Sequence, residues 1–192
     1  MDVEQLLAIS AVVPAAATLY FFVFWRWFGF WRAHPAAAYC LLVGTLVAFA
    51  VAGLVFADVV LGHAIGLPRG VHALGWIVIG LACVLGVVAD RQIGFHVRSF
   101  APFFEERGRI ELRTTGAYAI VRHPIYTSGL AYQLGMYLAT GYTAIAIAGA
   151  VFAIGAAWFT TQEEIRLRSL LADPTEYDRY RARVPALLPW PR

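Results

Sequence analysis

Three stretches of about twenty residues, Leu6 to Phe24, Ala36 to Phe56 and Val71 to Ala89, contain no aspartate, glutamate, lysine or arginine. A helix of that length rises about 30 Å, the thickness of a bilayer's hydrocarbon core. Hydrophobic residues make up 60% of the 192-residue chain and charged residues only 14%, against about 25% charged in a soluble domain. The chain is therefore expected to be an all-α, polytopic integral membrane protein.

The remaining apolar region, Thr127 to Thr160, is interrupted by Thr140-Gly-Tyr-Thr143 and reads as a helical hairpin. This brings the expectation to five transmembrane helices. The fourth, Thr127 to Ala139, is short enough either to cross a thin membrane or to pack against its neighbours. Arg26 and Arg32 follow the first span, Arg69 alone follows the second, six arginines from Arg91 to Arg122 follow the third, and the last six lie beyond Thr160. Basic residues mark the cytoplasmic side, so the amino terminus is expected outside and the later polar segments in the cytoplasm, in a bacterial inner membrane. Asp2 and Glu4 precede the first run where a signal peptide would be basic, and that run exceeds a signal-peptide core. It is read as a retained anchor.

A net charge of +3, with arginines interleaved with acids beside the spans, suits an anionic membrane surface and not nucleic acid. Cys40 and Cys83 lie inside apolar runs without ligand spacing and read as small buried apolar residues; no metal is expected. His34, His63, His72 and His96 are isolated and read as structural or interfacial, and Gly75, Gly80 and Gly86 as helix-packing positions. The segment Asp90 to Arg122, carrying Phe95, Phe100, Phe103 and Phe104, reads as lying on the membrane interface, with breaks at Gly108 and Gly116 and a short extended piece over Arg109 to Arg113. The whole chain, 1–192, is expected to form one domain: three spans in 1–90, then a cofactor-binding region in 91–192 with the hairpin and the carboxy-terminal tail.

Polar chemistry gathers in two places. Thr115 to Gly129 sets Arg122, His123 and Tyr126 around Pro124, immediately before an apolar stretch. Proline lacks an amide hydrogen and disfavours helix at the residue before it, so a helix is predicted to start at Pro124 with Arg122 and His123 just ahead. Amide donors and the positive helix end then suit a carboxylate or phosphate. The second place begins with Gln162-Glu163-Glu164. A short helix is predicted over Thr175 to Arg183, capped by Thr175, with Tyr177 and Tyr180 on one face. The proline-rich tail from Val184 is expected to pack in extended form along the protein or the membrane.

Glu163 and Glu164 project about 100° apart on a helix. One faces the pocket and the other pairs with Arg166 or Arg168 or with solvent; the sequence leaves open which. Arg183, beside Val184-Pro185, offers a bidentate guanidinium for a carboxylate. Both signs of charge and an aromatic ring at one depth are enough to hold a zwitterion. A two-carboxylate glycosidase is excluded, because nothing opposes a second acid on a rigid scaffold.

Thr115-Gly-Ala-Tyr118, Arg122-His-Pro-Ile-Tyr126 and Gly129, then Glu163-Glu-Ile-Arg-Leu167, Glu176-Tyr-Asp-Arg-Tyr180, and Arg183-Val-Pro185 through Leu188-Pro189, form an ordered pattern over the carboxy-terminal part of the chain. The pattern resembles the isoprenylcysteine carboxyl methyltransferase family of small integral membrane enzymes. The resemblance implies S-adenosylmethionine as cofactor and a lipophilic or prenylated acceptor that enters sideways from the membrane lipid. By the same resemblance Tyr118, His123, Pro124, Tyr126 and Glu164 bind the cofactor, while Arg122, Arg183 and Glu163 serve the reaction. The two arginines would steer the acceptor's carboxylate or the donor's own. Membrane sterol reductases share an Arg-His-Pro-x-Tyr region, where it serves NADPH, and are the alternative enzyme class. A non-enzymatic membrane component is the third reading.

Overall fold

The computed structural model describes residues 1–98, 104 and 111–189. Among them the chain forms α-helices and no strand: α1 Val3–Ser10, α2 Ala15–Arg26, α3 Phe28–Ala33, α4 Pro35–Val55, α5 Ala57–Leu61, α6 Arg69–Arg98, α7 Ala117–Ile120, α8 Pro124–Thr140, α9 Thr143–Leu170 and α10 Pro174–Arg183. Four segments are long and apolar enough to cross a membrane: Val3–Arg26, Pro35–Val55, Arg69–Ile93 and Thr143–Leu170. α8, the segment marked as short from its sequence, has 17 residues and falls just below that length. The protein is all-α and polytopic, as its charge-free runs require. The side chains of Phe95 and His96, together with Phe100, Phe103, Gly108, Arg109 and the end of the tail from Trp190, lie outside the described residues.

One compact unit comprises Met1–Cys83 and Gly129–Ala156. Its first apolar run is not one continuous helix, because Pro14 interrupts it between α1 and α2. A proline removes one amide and crowds the carbonyl four residues back. Through the break the amides of Val12, Val13, Ala15 and Ala16 bond to carbonyls three residues earlier. The Ala11 carbonyl, left without an amide from Ala15, accepts instead from Gln133 Nε2 at 3.0 Å. Lipid offers no water to a freed carbonyl, so a neighbouring helix must supply the donor, and Gln133 is only 1% exposed.

Within the same unit α6 and α8 touch backbone to backbone. A Cβ on Gly135 would stand 2.9 Å from the Gly75 oxygen, and one on Gly75 would stand 2.7 Å from the Gly135 oxygen. The close-packing reading therefore holds for Gly75, whereas a Cβ on Gly80 would meet nothing. Gly141, at φ 75°, ends α8 with its amide on the Tyr137 carbonyl and lets the chain turn into α9. His72 is structural: its ring nitrogens lie 2.6 Å from the Ala139 oxygen and 3.1 Å from the Leu67 oxygen. Cys40 and Cys83 differ from the expectation of a buried setting. Both are exposed on the helix surface.

The second unit comprises Val84–Ser128 and Ala157–Arg192. Leu171, Tyr177, Tyr180 and Val184 form one buried cluster with Leu112 and Leu167; Ala89, Ala117 and Tyr118 form another with Leu85, Ile93 and Ile125. Gly116 turns the chain into α7 at φ 61° and ψ −125°, and the Gln92 side chain lies where a Cβ would stand. Gln92 Oε1 accepts from the Ala117 amide at 2.9 Å. α10 starts one residue before its predicted start: Asp173, and not Thr175, is the cap, accepting from the Thr175 amide at 2.9 Å with Pro174 as first residue.

Candidate active site

All of the site lies in the second unit. α8 begins at Pro124, as the proline requires, and leaves Arg122 and His123 just ahead of it, each 6% exposed. A buried guanidinium and a buried imidazole outside a helix need acceptor partners, since an unpaired buried polar or charged group is strongly unfavourable. Glu164, 7% exposed on α9, supplies one. Its Oε1 accepts from Arg122 Nε at 2.9 Å, from Arg122 Nη2 at 2.6 Å, and lies 3.0 Å from His123 Nε2.

Glu163 stands on the other side of the imidazole. Its Oε2 is 3.5 Å from His123 Nδ1, an ion-pair distance, and although buried that oxygen has no hydrogen-bond partner among the described residues. The turn of about 100° between the two glutamates thus separates their roles. Glu164 is consumed by the internal network and Glu163 presents an unsatisfied oxygen.

His123 responds to this setting. Burial alone pulls its pKa down, but the carboxylates of Glu163 and Glu164 outweigh burial and the net direction is upward from the ordinary value. Protonated, the imidazole donates to Glu164 through Nε2 and presents its second proton to Glu163 through Nδ1. Tyr126, one turn into α8, holds its ring 5.9 Å from that of His123 and edge-on to Phe159 at 6.3 Å.

The tail closes the arrangement from behind. The Arg122 amide donates to the Pro185 carbonyl at 2.8 Å, the His123 amide to Ala186 at 3.0 Å, and Thr127 Oγ1 to Leu187 at 2.7 Å. Arg122 Nη1 donates to the carbonyls of Val184 and Arg181. Over its described residues the tail packs on protein, but it bends at Val184 and over 186–188 where the sequence predicts an extended form. Its main chain takes up the two amides that the sequence offered to an anionic ligand.

Tyr118 reaches the network through α10, where its carbonyl accepts from the Tyr180 hydroxyl at 2.6 Å. Burial pushes that hydroxyl's pKa up to about 12, with Arg122 lowering and Glu164 raising it, so it remains a donor. The structure therefore brings together Arg122, His123, Pro124, Tyr126, Glu163 and Glu164, with Tyr118 one residue removed. Arg183 stands apart. It is exposed, its Nε donates to the Arg179 carbonyl at 3.2 Å, and it lines an open concavity of about 750 Å³ with Thr114, Glu176, Arg179, Tyr180 and Ala182.

The cation that sequence reasoning missed is Arg181, whose Nε lies 3.5 Å from Glu164 Oε2. A signal for it exists in the helix period. On α10 the buried stripe is Tyr177, Tyr180 and Val184, and at about 100° per residue Arg181 and Arg183 flank that stripe on opposite sides. Only the Arg181 side meets Glu164.

Chemically the cluster is two arginines, one histidine and two carboxylates, with one carboxylate oxygen unsatisfied, beside an aromatic ring. The unsatisfied carboxylate oxygen is chemically suited to a cationic or zwitterionic group. No curated protein and no solved structure matches the chain. The family model described as phospholipid methyltransferase matches residues 71–173, more than half of the chain, and spans Arg122, His123, Tyr126 and both glutamates. This chain belongs to the phospholipid methyltransferase family, and is an integral membrane protein of methyltransferase type.

Proposed function

We propose that the protein transfers a methyl group from S-adenosylmethionine to a carboxylate or thiol of a lipophilic acceptor, of the isoprenylcysteine type, at the cytoplasmic face of the membrane. The single observation that carries the reading is Glu163: a buried, unsatisfied carboxylate oxygen beside the His123 imidazole, in a chain of a methyltransferase family. The donor set fits the cofactor's zwitterionic end. Glu163 would take the ammonium, and His123 and Tyr126 would line its position, while Glu164 and Tyr118 act from behind by fixing His123 and α10. When bound, S-adenosylmethionine supplies an electrophilic methyl on a sulfonium.

A carboxylate or thiolate acceptor is already nucleophilic, so the protein's part is to bind, orient and exclude water. Pro124 and the tail hold His123 in place, and Arg122, its guanidinium engaged by Glu164 and the tail carbonyls, keeps the cluster assembled. In this reading Arg122 is a positioning residue. Arg183, exposed at the concavity beside α10, is the guanidinium that would meet an acceptor carboxylate. The family description adds a phospholipid as a second acceptor class, which the assay must include.

The experiment is equilibrium binding of S-adenosylhomocysteine to the purified protein in nanodiscs, with NADPH in parallel and His123→Ala as control. Micromolar binding of the first ligand alone, weakened by the substitution, is expected. Binding of NADPH alone, or methyl transfer that survives intact in both His123→Ala and Glu164→Ala, would overturn the reading.

A further inference from the structure

The end of α2 and its connection to α4, Phe24-Trp-Arg-Trp-Phe-Gly-Phe-Trp-Arg-Ala-His34, carry six aromatic side chains among two arginines and a histidine. This segment serves no part of the site described above. The helix α2 ends at Arg26 and α4 starts at Pro35, each closing a candidate span, so the connection lies at one membrane face with α3 in contact with both helices.

Its rings are organised among themselves. Trp25 stacks on Phe28 at 5.1 Å, Phe30 stacks on His34 at 4.6 Å, and Trp31 Nε1 donates to the Val23 carbonyl at 3.2 Å across the helix break. The Arg26 guanidinium sits 5.7 Å from the centre of the Trp27 ring. Arg26, Arg32 and His34 are exposed, and Trp27 and Phe30 are each 53% exposed. Residues 5 to 57 contain no acid, and neither arginine has a carboxylate partner among the described residues.

We propose that this segment is a binding site for the headgroup of an anionic phospholipid, with the guanidinium groups of Arg26 and Arg32 on the phosphate and the exposed rings at the level of the glycerol. Charge complementarity selects this occupant. Two guanidinium groups without acids take a phosphodiester with paired hydrogen bonds, and a lipid of the phosphatidylglycerol type carries no ammonium to repel them. Tryptophan and phenylalanine favour the same depth, their rings half in hydrocarbon and half in the headgroups. The Trp27 ring under Arg26 limits the conformations the guanidinium explores, which lowers the ordering cost of binding.

Three of the six tryptophans, Trp25, Trp27 and Trp31, lie in this segment, so the site reports on itself. The full-length protein is reconstituted in phosphatidylcholine nanodiscs holding a minor fraction of either brominated phosphatidylglycerol or brominated phosphatidylcholine, and tryptophan quenching is compared. Brominated phosphatidylglycerol is expected to quench the wild type more strongly, an excess that falls as salt rises. In an R26Q/R32Q variant the preference should weaken by about 30-fold, from about 1 kcal/mol per arginine at the membrane surface. Equal quenching of the wild type by the two lipids overturns the proposal whatever the variant does, and so does an R26Q/R32Q variant that keeps the wild-type excess.

Discussion

α4 and the Arg122–Glu164 cluster invert the usual rule of burial. On α4, a span of 21 residues, only Ala38 and Gly53 are buried, while Val43, Val47, Val51, Leu54 and Val55 lie open at the protein surface. In the cluster, arginine, histidine and glutamate are less than a tenth exposed. Two solvents act on this chain. Lipid covers apolar surface without any need for protein neighbours, so α4 can remain bare. The charged groups have no such cover and must complete one another, so each depends on residues far away in sequence.

The largest test removes the shared acceptor. Glu164→Ala strands Arg122 and His123 as buried cations, and breaking a buried pair in this way costs roughly 3–5 kcal/mol. Thermal unfolding in detergent should show that loss, together with loss of S-adenosylhomocysteine binding. A variant that unfolds like the wild type would mean that the cations reach solvent and that the cluster is not a closed unit.

Ending the chain at Val184 comes next. It removes the carbonyls of Pro185, Ala186 and Leu187, which receive the amides of Arg122 and His123 and the Thr127 hydroxyl. At about 1 kcal/mol for each hydrogen bond, the truncated protein is expected to be about 3 kcal/mol less stable. Unchanged stability with weakened ligand binding would instead make the tail a ligand-binding element and not a brace.

These two tests also mark what could be read from the chain. The spans were legible because a charge-free run of membrane length has few other uses, and the start of α8 was legible because Pro124 dictates it locally. The tail's pairing with Arg122 and His123 was not, since it joins residues about sixty positions apart through main-chain atoms that every sequence possesses. Which glutamate turns inward depended on the rotation of α9, whose pattern is apolar nearly all round and gives no face. Pro14 was visible, but the break it makes is completed by Gln133, and that partner could be found only once the helices were placed beside one another.

Gly116→Ala is expected to cost about 2 kcal/mol, because a φ of 61° with ψ of −125° is open almost only to glycine. The added methyl must also displace the Gln92 amide that holds α7. Unfolding with and without S-adenosylhomocysteine measures it, and a neutral result would show that the turn into Tyr118 relaxes freely.

A smaller, graded effect comes from pH. The folded-state pKa of His123 is raised above the ordinary 6.5, so the folded form binds the proton more tightly than the unfolded one. Its contribution to stability is complete below the ordinary histidine range and fades as pH rises through the folded-state value. Unfolding free energy should therefore decline from weakly acidic to weakly basic pH in the wild type, with a flatter profile in His123→Gln. Parallel profiles would mean that His123 stays neutral between its two glutamates.

The smallest effect belongs to α4. Val47, 55% exposed, should tolerate Val47→Leu with a change within about 0.5 kcal/mol, because the added methylene meets acyl chains that are as apolar as leucine itself. Thermal unfolding in nanodiscs checks this. A loss well above that range would mean that a well-packed protein surface covers α4, since overpacking has a cost only where neighbours cannot move aside. The bare face of α4 would then be an interface between copies of the chain, and the contrast with the polar cluster would shift from lipid against protein to subunit against core.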